Sequence, residues 1–517
     1  MGVMMLNGVQ YSGTIENGGG GIAPDNMIKF KAHAGNGEVK LYIKGPDDTV
    51  IDGQNICTVK GVKITRKTDG YPETETDGTI VLDLTLDDFS TYEETPYIDE
   101  GLTNNTTYYY AAFPYSDYEV YNRNTKNRSS ATPKQYTIYG YMRNKNDSNP
   151  ATCITYTDDA ETFTAAKMNF DTGEFEYGSW ADTFILNSFR PVALKYNGTV
   201  DYELDHDDQT KKLDGTASDI SDSNYQGNFM VGVKPIWIYR YEDDYYEVVK
   251  FSDKKIDENY KCYANMNEAE EVLDEVFLPM FEGSNVSSKV RSIAGQAPMA
   301  STAGATEIAY AEANGSGWYL DDWSNHRLIE DLLYLLGKST DAQSIFGTGY
   351  YTGGSSSTGL KQTGLLKSKG MFYGDNNNGP VKVFWLENYY GDRWDRTAGC
   401  VYGTDGKLKV KMHPPYNTDG TGYIDTGVTL GGSSGGYISE SKMTEYGRLP
   451  VTMSGSESTY IPDGVYFNTS QLNYALSGGA CTYGLHVGPS ALIVSYALSN
   501  SLWGCGPSVS YKAPAAA

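Results

Sequence analysis

A β-rich α+β fold with few helices and much loop is what this sequence predicts, on three observations. With 44 Tyr and 57 Gly among 517 residues, the chain is enriched in side chains that suit pleated strands and in the residue that suits tight turns. From Met27 to about Ser130, apolar and polar residues alternate in short runs (KFKAH, EVKLYIKG, CTVKGVKITRKT, GTIVLDLTL, TTYYYAAFPY), each closed by Gly, Asn, Asp or Pro. One segment departs clearly from that pattern. Asp322 to Gly337 (DWSNHRLIEDLLYLLG) sets Trp323, Leu328, Leu332, Leu335 and Leu336 at helical spacing, with Ser324 as the expected N-cap and Gly337 as the stop.

A chain of this length divides into modules, each able to bury its own core. The NGGGG run at 17–21 is a flexible hinge, so 1–26 is expected to be an attachment segment. The alternating runs make 27–135 one β-sandwich. Residues 136–517 form the second module, with strand-like stretches TFILNSF and MVGVKPIWIYRYEDDYYEVVKF, a long polar insertion from Asp201 to Asp222, and Gly/Ser clusters (TGGSSSTG, LGGSSGGYIS) between aromatic strands. No repeat of fixed period occurs, which excludes a solenoid or propeller.

Charge narrows the function. Forty-one basic against 66 acidic residues give a formal charge of −25, and no basic cluster interrupts the excess, so nucleic acid is excluded as a partner. No run reaches the roughly 18 apolar residues that cross a bilayer, so no membrane insertion is expected. Met1 to Gly21 lacks a signal-peptide pattern, and any route to the outside is expected through an assembly or lysis. Cys57, Cys153, Cys262, Cys400, Cys481 and Cys505 are scattered without a C-x-x-C pair, as in a protein folded under reducing conditions.

Few constellations carry chemistry. Phe384 to Cys400 (FWLENYYGDRWDRTAGC) mixes carboxylates with aromatic platforms, as a glycan-cleaving site does, and a structural hairpin with salt-bridged loops weighs more heavily. A glycan depolymerase would draw its acid and base from Asp321 or Asp322 with Glu387, Asp392 or Asp395. His206, in Leu-Asp-His-Asp-Asp, has no second histidine at ligand spacing and reads as a solvated acidic loop. Asp375 to Gly379 opens like a calcium loop but has Gly at its fifth position, which excludes an EF-hand.

Gly70-Tyr71-Pro72, Asp77-Gly78-Thr79 and Gly101 to Tyr110 resemble the fibronectin type III modules of bacteriophage tail proteins, with Leu102 to Tyr108 spaced like the tyrosine corner of that fold. Such a module implies a spacer. Glu387-Asn388 and Gly391 to Asp395 resemble the signature of the C-type lectin fold of the formylglycine-generating enzyme type. Trp318 to Gly337, Gly370 to Gly374, Gly422 to Ile424, Gly435 to Ile438 and Gly447 to Pro450 resemble, in the same order, the variable proteins of phage diversity-generating retroelements. This second resemblance spans roughly 155–512, with a variable region at about 470–512. It implies a non-enzymatic tropism determinant of the virion tail, made in the host cytoplasm, whose lectin face binds a bacterial surface protein or glycan. It also implies contacts with other tail proteins and a homo-oligomer, a trimer being the first expectation. No cofactor is required, and a calcium site of the lectin fold stays unassigned. The oxidase that names the fold uses a redox cysteine pair; here Cys481 and Cys505 lie in the right region without its surrounding motif.

Gly464 to Tyr511 contains no charged side chain. Retroelement mutagenesis randomises template adenines, and an AAC codon so treated never yields Lys, Glu, Gln, Met or Trp; Ala480 to Leu502 contains none of these five. A buried apolar strand pair would also lack Lys, Glu and Gln. The mix of polar and apolar residues without a period of 2 or 3.6 favours a binding face over a core. Its expected contact residues are Ser477, Ala480, Cys481, Thr482, Tyr483, Leu485, His486, Val487, Ile493, Ser495, Tyr496, Asn500, Leu502 and Cys505, held by a frame of Gly478, Gly479, Gly484, Gly488, Trp503 and Gly506.

Overall fold

The computed structural model describes residues 21–51, 54–85, 92–93, 95–432 and 434–515, with the backbone of two short strands, Met4–Leu6 and Val9–Tyr11. The chain divides into two units, Met1–Thr137 and Ile138–Ala517, two residues from the division expected at 135/136. Most of the expected attachment segment, at 1–3, 7–8 and 12–20, lies outside the described residues.

The first unit is a two-sheet sandwich. Lys29–Ala34, Glu38–Lys44 and Tyr97–Glu100 make one antiparallel sheet, and Arg128–Ala131, Tyr108–Ser116, Val59–Lys67 and Thr79–Thr85, in that spatial order, make the other. The alternation in Glu38–Lys44 turns Val39, Leu41 and Ile43 inward, where they meet Val62, Ile64, Tyr110 and Ala112 of the facing sheet. Two strands that the sequence pattern did not single out, Tyr97–Glu100 and Arg128–Ala131, complete this order; each has four residues, too few to display a period. The Tyr108 hydroxyl accepts the Thr103 N–H at 3.0 Å, which is the tyrosine corner at its expected place. Asp99 of the first sheet ties both layers together by accepting from Tyr110 Oη at 2.7 Å and pairing with Arg66 at 2.5 Å, both from the second sheet. Replacing Tyr108 by Phe removes one largely buried hydrogen bond and is expected to cost about 1 kcal/mol in urea unfolding; an unchanged midpoint would remove the corner from the account.

The second unit is built from larger sheets. A four-stranded antiparallel sheet runs Ile154–Asp158, Ile138–Asn144, Tyr246–Ser252, Trp237–Glu242. A six-stranded sheet runs Val200–Glu203, Phe189–Lys195, Gly227–Val233, Val276–Pro279, Val509–Tyr511, Trp318–Leu320, so the last strand of the chain returns between two early ones. The third runs Ile424–Thr429, Lys407–Val410, Trp394–Tyr402, Asn473–Ser477, Leu492–Val494, Ile461–Phe467, Gly435–Ile438, with Cys505–Gly506 parallel to Trp394–Tyr402.

Among the described residues there are four α-helices, Phe184–Asn187, Gly304–Glu312, Trp323–Gly337 and Ala342–Phe346. TFILNSF, read as strand, is instead one helical turn followed by the start of Phe189–Lys195. A single turn is too short to show helical spacing in sequence. Helix Trp323–Gly337 stands where its pattern placed it, with two corrections at its ends. Its N-cap is Asp322, whose carboxylate accepts the Asn325 N–H at 3.1 Å, while Ser324 lies inside the first turn and donates to the same carboxylate at 2.5 Å. Gly337 is the last helical residue, and Lys338 takes the left-handed cap at φ 51°.

Every residue of that helix is buried, its charged ones included. A charge without water must be matched, and the surrounding sheets supply the partners. Arg240 pairs with Asp331 at 2.7 Å, Arg448 with Glu247 at 2.8 Å, Glu330 at 3.4 Å and Asp331 at 3.5 Å, and Arg143 with Glu247 at 3.2 Å, while Arg327 pairs with Glu330 within the helix. Tyr141 Oη donates to Asp331 at 3.0 Å. Burial alone would raise Glu247, but the charges of Arg143 and Arg448 outweigh it and hold the carboxyl down to about 2, from an ordinary 4.5. A depressed folded value means that its contribution is complete above pH 4.5 and is lost as pH falls toward 2. Acid titration of the unfolding free energy should therefore decline across that window, and Glu247→Gln should flatten the decline while lowering stability at neutral pH; an unaltered slope would contradict the pairing.

Candidate functional site

The charge-free terminal stretch enters the third sheet through Ile461–Phe467, Asn473–Ser477 and Leu492–Val494, and rejoins it at Cys505–Gly506. Two loops leave this scaffold, 478–491 and 495–504. The first is held closely at its base. Gly479 has φ 95°, and a Cβ there would sit 2.6 Å from Val487 Cα; a Cβ on Gly488 would sit 2.0 Å from the Asp463 carboxylate. That carboxylate accepts the Ser490 N–H at 2.7 Å, and burial raises it well above the usual range. The Ser490 hydroxyl donates to Glu330 and lies 2.8 Å from Tyr334 Oη, Arg327 donates to Pro489 O at 3.4 Å, and Gln343 donates to Val487 O. The central helix, its follower Ala342–Phe346 and Asp463 thus grip the returning limb. The second loop is held by Arg396, which pairs with Glu307 and donates to Asn500 O at 3.3 Å, while Arg393 fixes the chain just beyond it by donating to Pro507 O at 2.8 Å and to Met299 O at 3.2 Å.

These anchors sort the expected contact residues. Thr482 is exposed, and Tyr483, Leu485, His486, Ser495, Tyr496, Asn500 and Leu502 are partly exposed on the loops. Ser477, Ala480, Cys481, Val487, Ile493 and Cys505 are buried, which corrects their assignment to the contact surface. The reason is packing: Ala480, Ile493 and Cys505 share a cluster with Trp394 and Leu476, Ser477 Oγ lies 2.9 Å from Thr397 Oγ1, and Val487 fills the space that Gly479 leaves. Of the expected frame, Gly478, Gly479, Gly488 and Gly506 are buried, whereas Gly484 and Trp503 are partly exposed.

Where both loops meet the end of strand Ile461–Phe467 lies an open cleft of about 490 Å³, lined by Ser434, Tyr466, Phe467, Asn468, Thr469, Tyr483, Ile493, Ser495 and Tyr496. None of these lining residues is charged. A chain of rings runs along one side. Trp394 meets Tyr483 edge-on at 5.1 Å, Tyr483 meets Tyr466 at 5.4 Å, and His486 stacks 5.6 Å from Tyr466 and lies 4.0 Å from Tyr437. Tyr466 Oη is 2.8 Å from His486 Nδ1, and burial lowers the His486 pKa, with Glu457 opposing, so the ring is neutral at pH 7. Tyr437, Tyr466, Asn468, Thr469 and Ser434 were missed in the sequence. For Tyr466, Asn468 and Thr469 a signal existed, because the charge-free stretch opens at Gly464, ahead of the expected contact residues.

The carboxylates named for glycan cleavage lie elsewhere. Glu387 is buried and accepts the N–H groups of Gly364 at 2.6 Å, Leu365 at 3.0 Å and Leu366 at 2.8 Å, while Asp392 accepts the Lys361 N–H at 2.9 Å. Asp321 and Asp322 are buried at the start of the central helix. Cys481 and Cys505 are free thiols, and burial pushes them up to about 11 and about 12, far from the low values of reactive cysteines. His206 Nε2 pairs with Glu203 at 2.8 Å in an exposed loop, and Asp375 Oδ1 closes its own turn on the N–H groups of Asn377 and Gly379.

No family model and no curated protein matches the chain. No helix of the described residues is long and apolar enough to cross a membrane. What the site offers is a neutral, aromatic and hydroxyl-rich cleft on a rigid base, suited to binding by stacking and hydrogen bonding. Base and tip should respond differently to substitution. Gly479→Ala, strained in φ and overlapping Val487, is expected to cost about 2 kcal/mol or more, and Thr482→Ala less than about 0.5 kcal/mol, in denaturant unfolding; equal effects would refute the division.

Proposed function

We propose that this chain is a receptor-binding protein of a bacteriophage tail, a variable protein of a diversity-generating retroelement, that recognises a bacterial surface protein or glycan by binding rather than catalysis. The observation that carries the reading is the division of the charge-free stretch into a buried limb and an exposed aromatic face around one cleft. Tyr466, Tyr483 and Tyr496 give rigid contact area at low entropic cost, and Asn468, Thr469 and Ser495 supply adaptable hydrogen bonds. A surface without charges avoids the desolvation penalty that fixed ions would impose on each new partner. The absence of Lys, Glu, Gln, Met and Trp from Ala480 to Leu502 supports codon-level diversification of this face. In this reading the lectin-type unit displays the face, the N-terminal sandwich is a spacer on the virion, and a homo-oligomer multiplies weak single-site contacts into avidity.

Two measurements test it. Sequencing many copies of the gene should place substitutions at Thr482, Tyr483, Leu485, His486, Ser495, Tyr496, Asn500 and Leu502, sparing the buried Ser477, Ala480, Val487 and Ile493; an even spread along the chain would sink the reading. The double substitution Tyr483→Ala, Tyr496→Ala should weaken binding of the purified protein to host envelope at least about tenfold with no loss of folded signal.

A further inference from the structure

Away from the cleft, three side chains meet at the point where the central helix begins. Asp321 follows strand Trp318–Leu320, His326 lies in the first turn of helix Trp323–Gly337, and Asp395 lies in strand Trp394–Tyr402. The backbone brings them together: Asp321 N–H donates to Ser508 O at 2.9 Å, and Ala398 N–H donates to Asp321 O at 2.8 Å. One ligand atom from each of the three lies within 4.8 Å of the others.

His326 is 2% exposed, and its Nε2 is buried without a hydrogen-bond partner. That atom points at the cluster, 3.4 Å from Asp321 Oδ2. An imidazole nitrogen so placed normally finds a partner, because leaving it unmatched costs desolvation free energy. Neighbouring charges do not fill the role. Lys512 Nζ is taken by Asp322 at 2.7 Å, and Arg393 pairs with Glu282 at 3.2 Å and stands 3.6 Å from Asp395. Both carboxylates are oriented by a second contact: Asn325 Nδ2 donates to Asp321 Oδ1 at 2.7 Å, and Ser508 Oγ donates to Asp395 Oδ1 at 2.9 Å. Each carboxylate keeps its other oxygen for a further ligand, the arrangement by which outer partners orient metal-binding groups.

We infer that Asp321, His326 and Asp395 form a binding site for a zinc-class dication. The donor set selects the class, since imidazole suits zinc and its neighbours, whereas calcium takes six to eight oxygens. The 3.4 Å between His326 Nε2 and Asp321 Oδ2 matches a tetrahedral centre, whose bonds of about 2.0–2.2 Å separate its ligand atoms by about 3.3–3.6 Å, and a ligand atom of Asp395 lies within 4.8 Å of the others. Asp395 is in register with Ser477 on one side and Gly506 on the other, so the ion sits under the points where both loops leave and rejoin the sheet. Its role is to pin the helix start, the central strand and the returning terminus as one base for the loops.

The test uses the full chain, stripped with a chelator and dialysed. Zinc chloride should bind at one ion per chain in titration calorimetry and raise the thermal midpoint by several degrees, with calcium chloride giving neither. His326→Gln and Asp395→Asn should each weaken zinc binding at least about tenfold. A stripped wild-type chain that takes up no stoichiometric zinc, or a His326→Gln variant that binds it undiminished, overturns the site. Should the variants not fold, wild-type crystals soaked in zinc and measured at its absorption edge decide: an anomalous peak among the three side chains supports the site, and none there refutes it.

Discussion

Four arginines and three carboxylates without access to water meet around helix Trp323–Gly337, and the second unit is arranged to satisfy them. Arg143 and Glu247 come from the first sheet of the unit, Arg240 from its edge, and Arg448 from the strand Gly447–Met453 more than a hundred residues later. Each pair is stable only while all the segments are in place, because removing one partner leaves a buried charge unmatched. Displacing the helix or any one of these strands would therefore leave a charge unpaired, which ties their mutual position to the ion pairs.

The cleft inherits that position. Glu330 holds Ser490 on one face while pairing with Arg327 and Arg448, and Arg327 reaches Pro489. Loop 478–491 is thus tied by its returning limb to the same charges that order the interior. Its tip, from Thr482 to His486, carries no such tie and faces outward. A base held by buried charges fixes where the outward-facing tip and its aromatic face stand.

Phe384 to Cys400 shows why composition alone misleads about chemistry. Its carboxylates and arginines admit a catalytic pair beside the structural ions that weigh more heavily, and the structure shows what each of them touches. Glu387 closes a turn of backbone N–H groups, Arg396 holds the second loop, Arg393 fixes Pro507 beyond it, and Trp394 heads the ring chain that passes the cleft at Tyr483 and Tyr466. Trp394 is buried behind Tyr483, which lines the cleft, instead of forming an external platform.

By itself the sequence determined the β-rich class, the alternating strands of the sandwich, the helix at 323–337 and the charge-free stretch, because alternation, helical spacing and composition are local properties. It did not determine which residues of that stretch are exposed. Ser477, Ala480 and Val487 differ little in kind from Thr482 and Ser495, yet the first three are buried, Ser477 against Thr397, Ala480 in the cluster of Trp394, and Val487 against Gly479 and under Gln343. Burial in a loop is a property of what packs against it from far along the chain, and for that reason only the tertiary structure decided where the face begins.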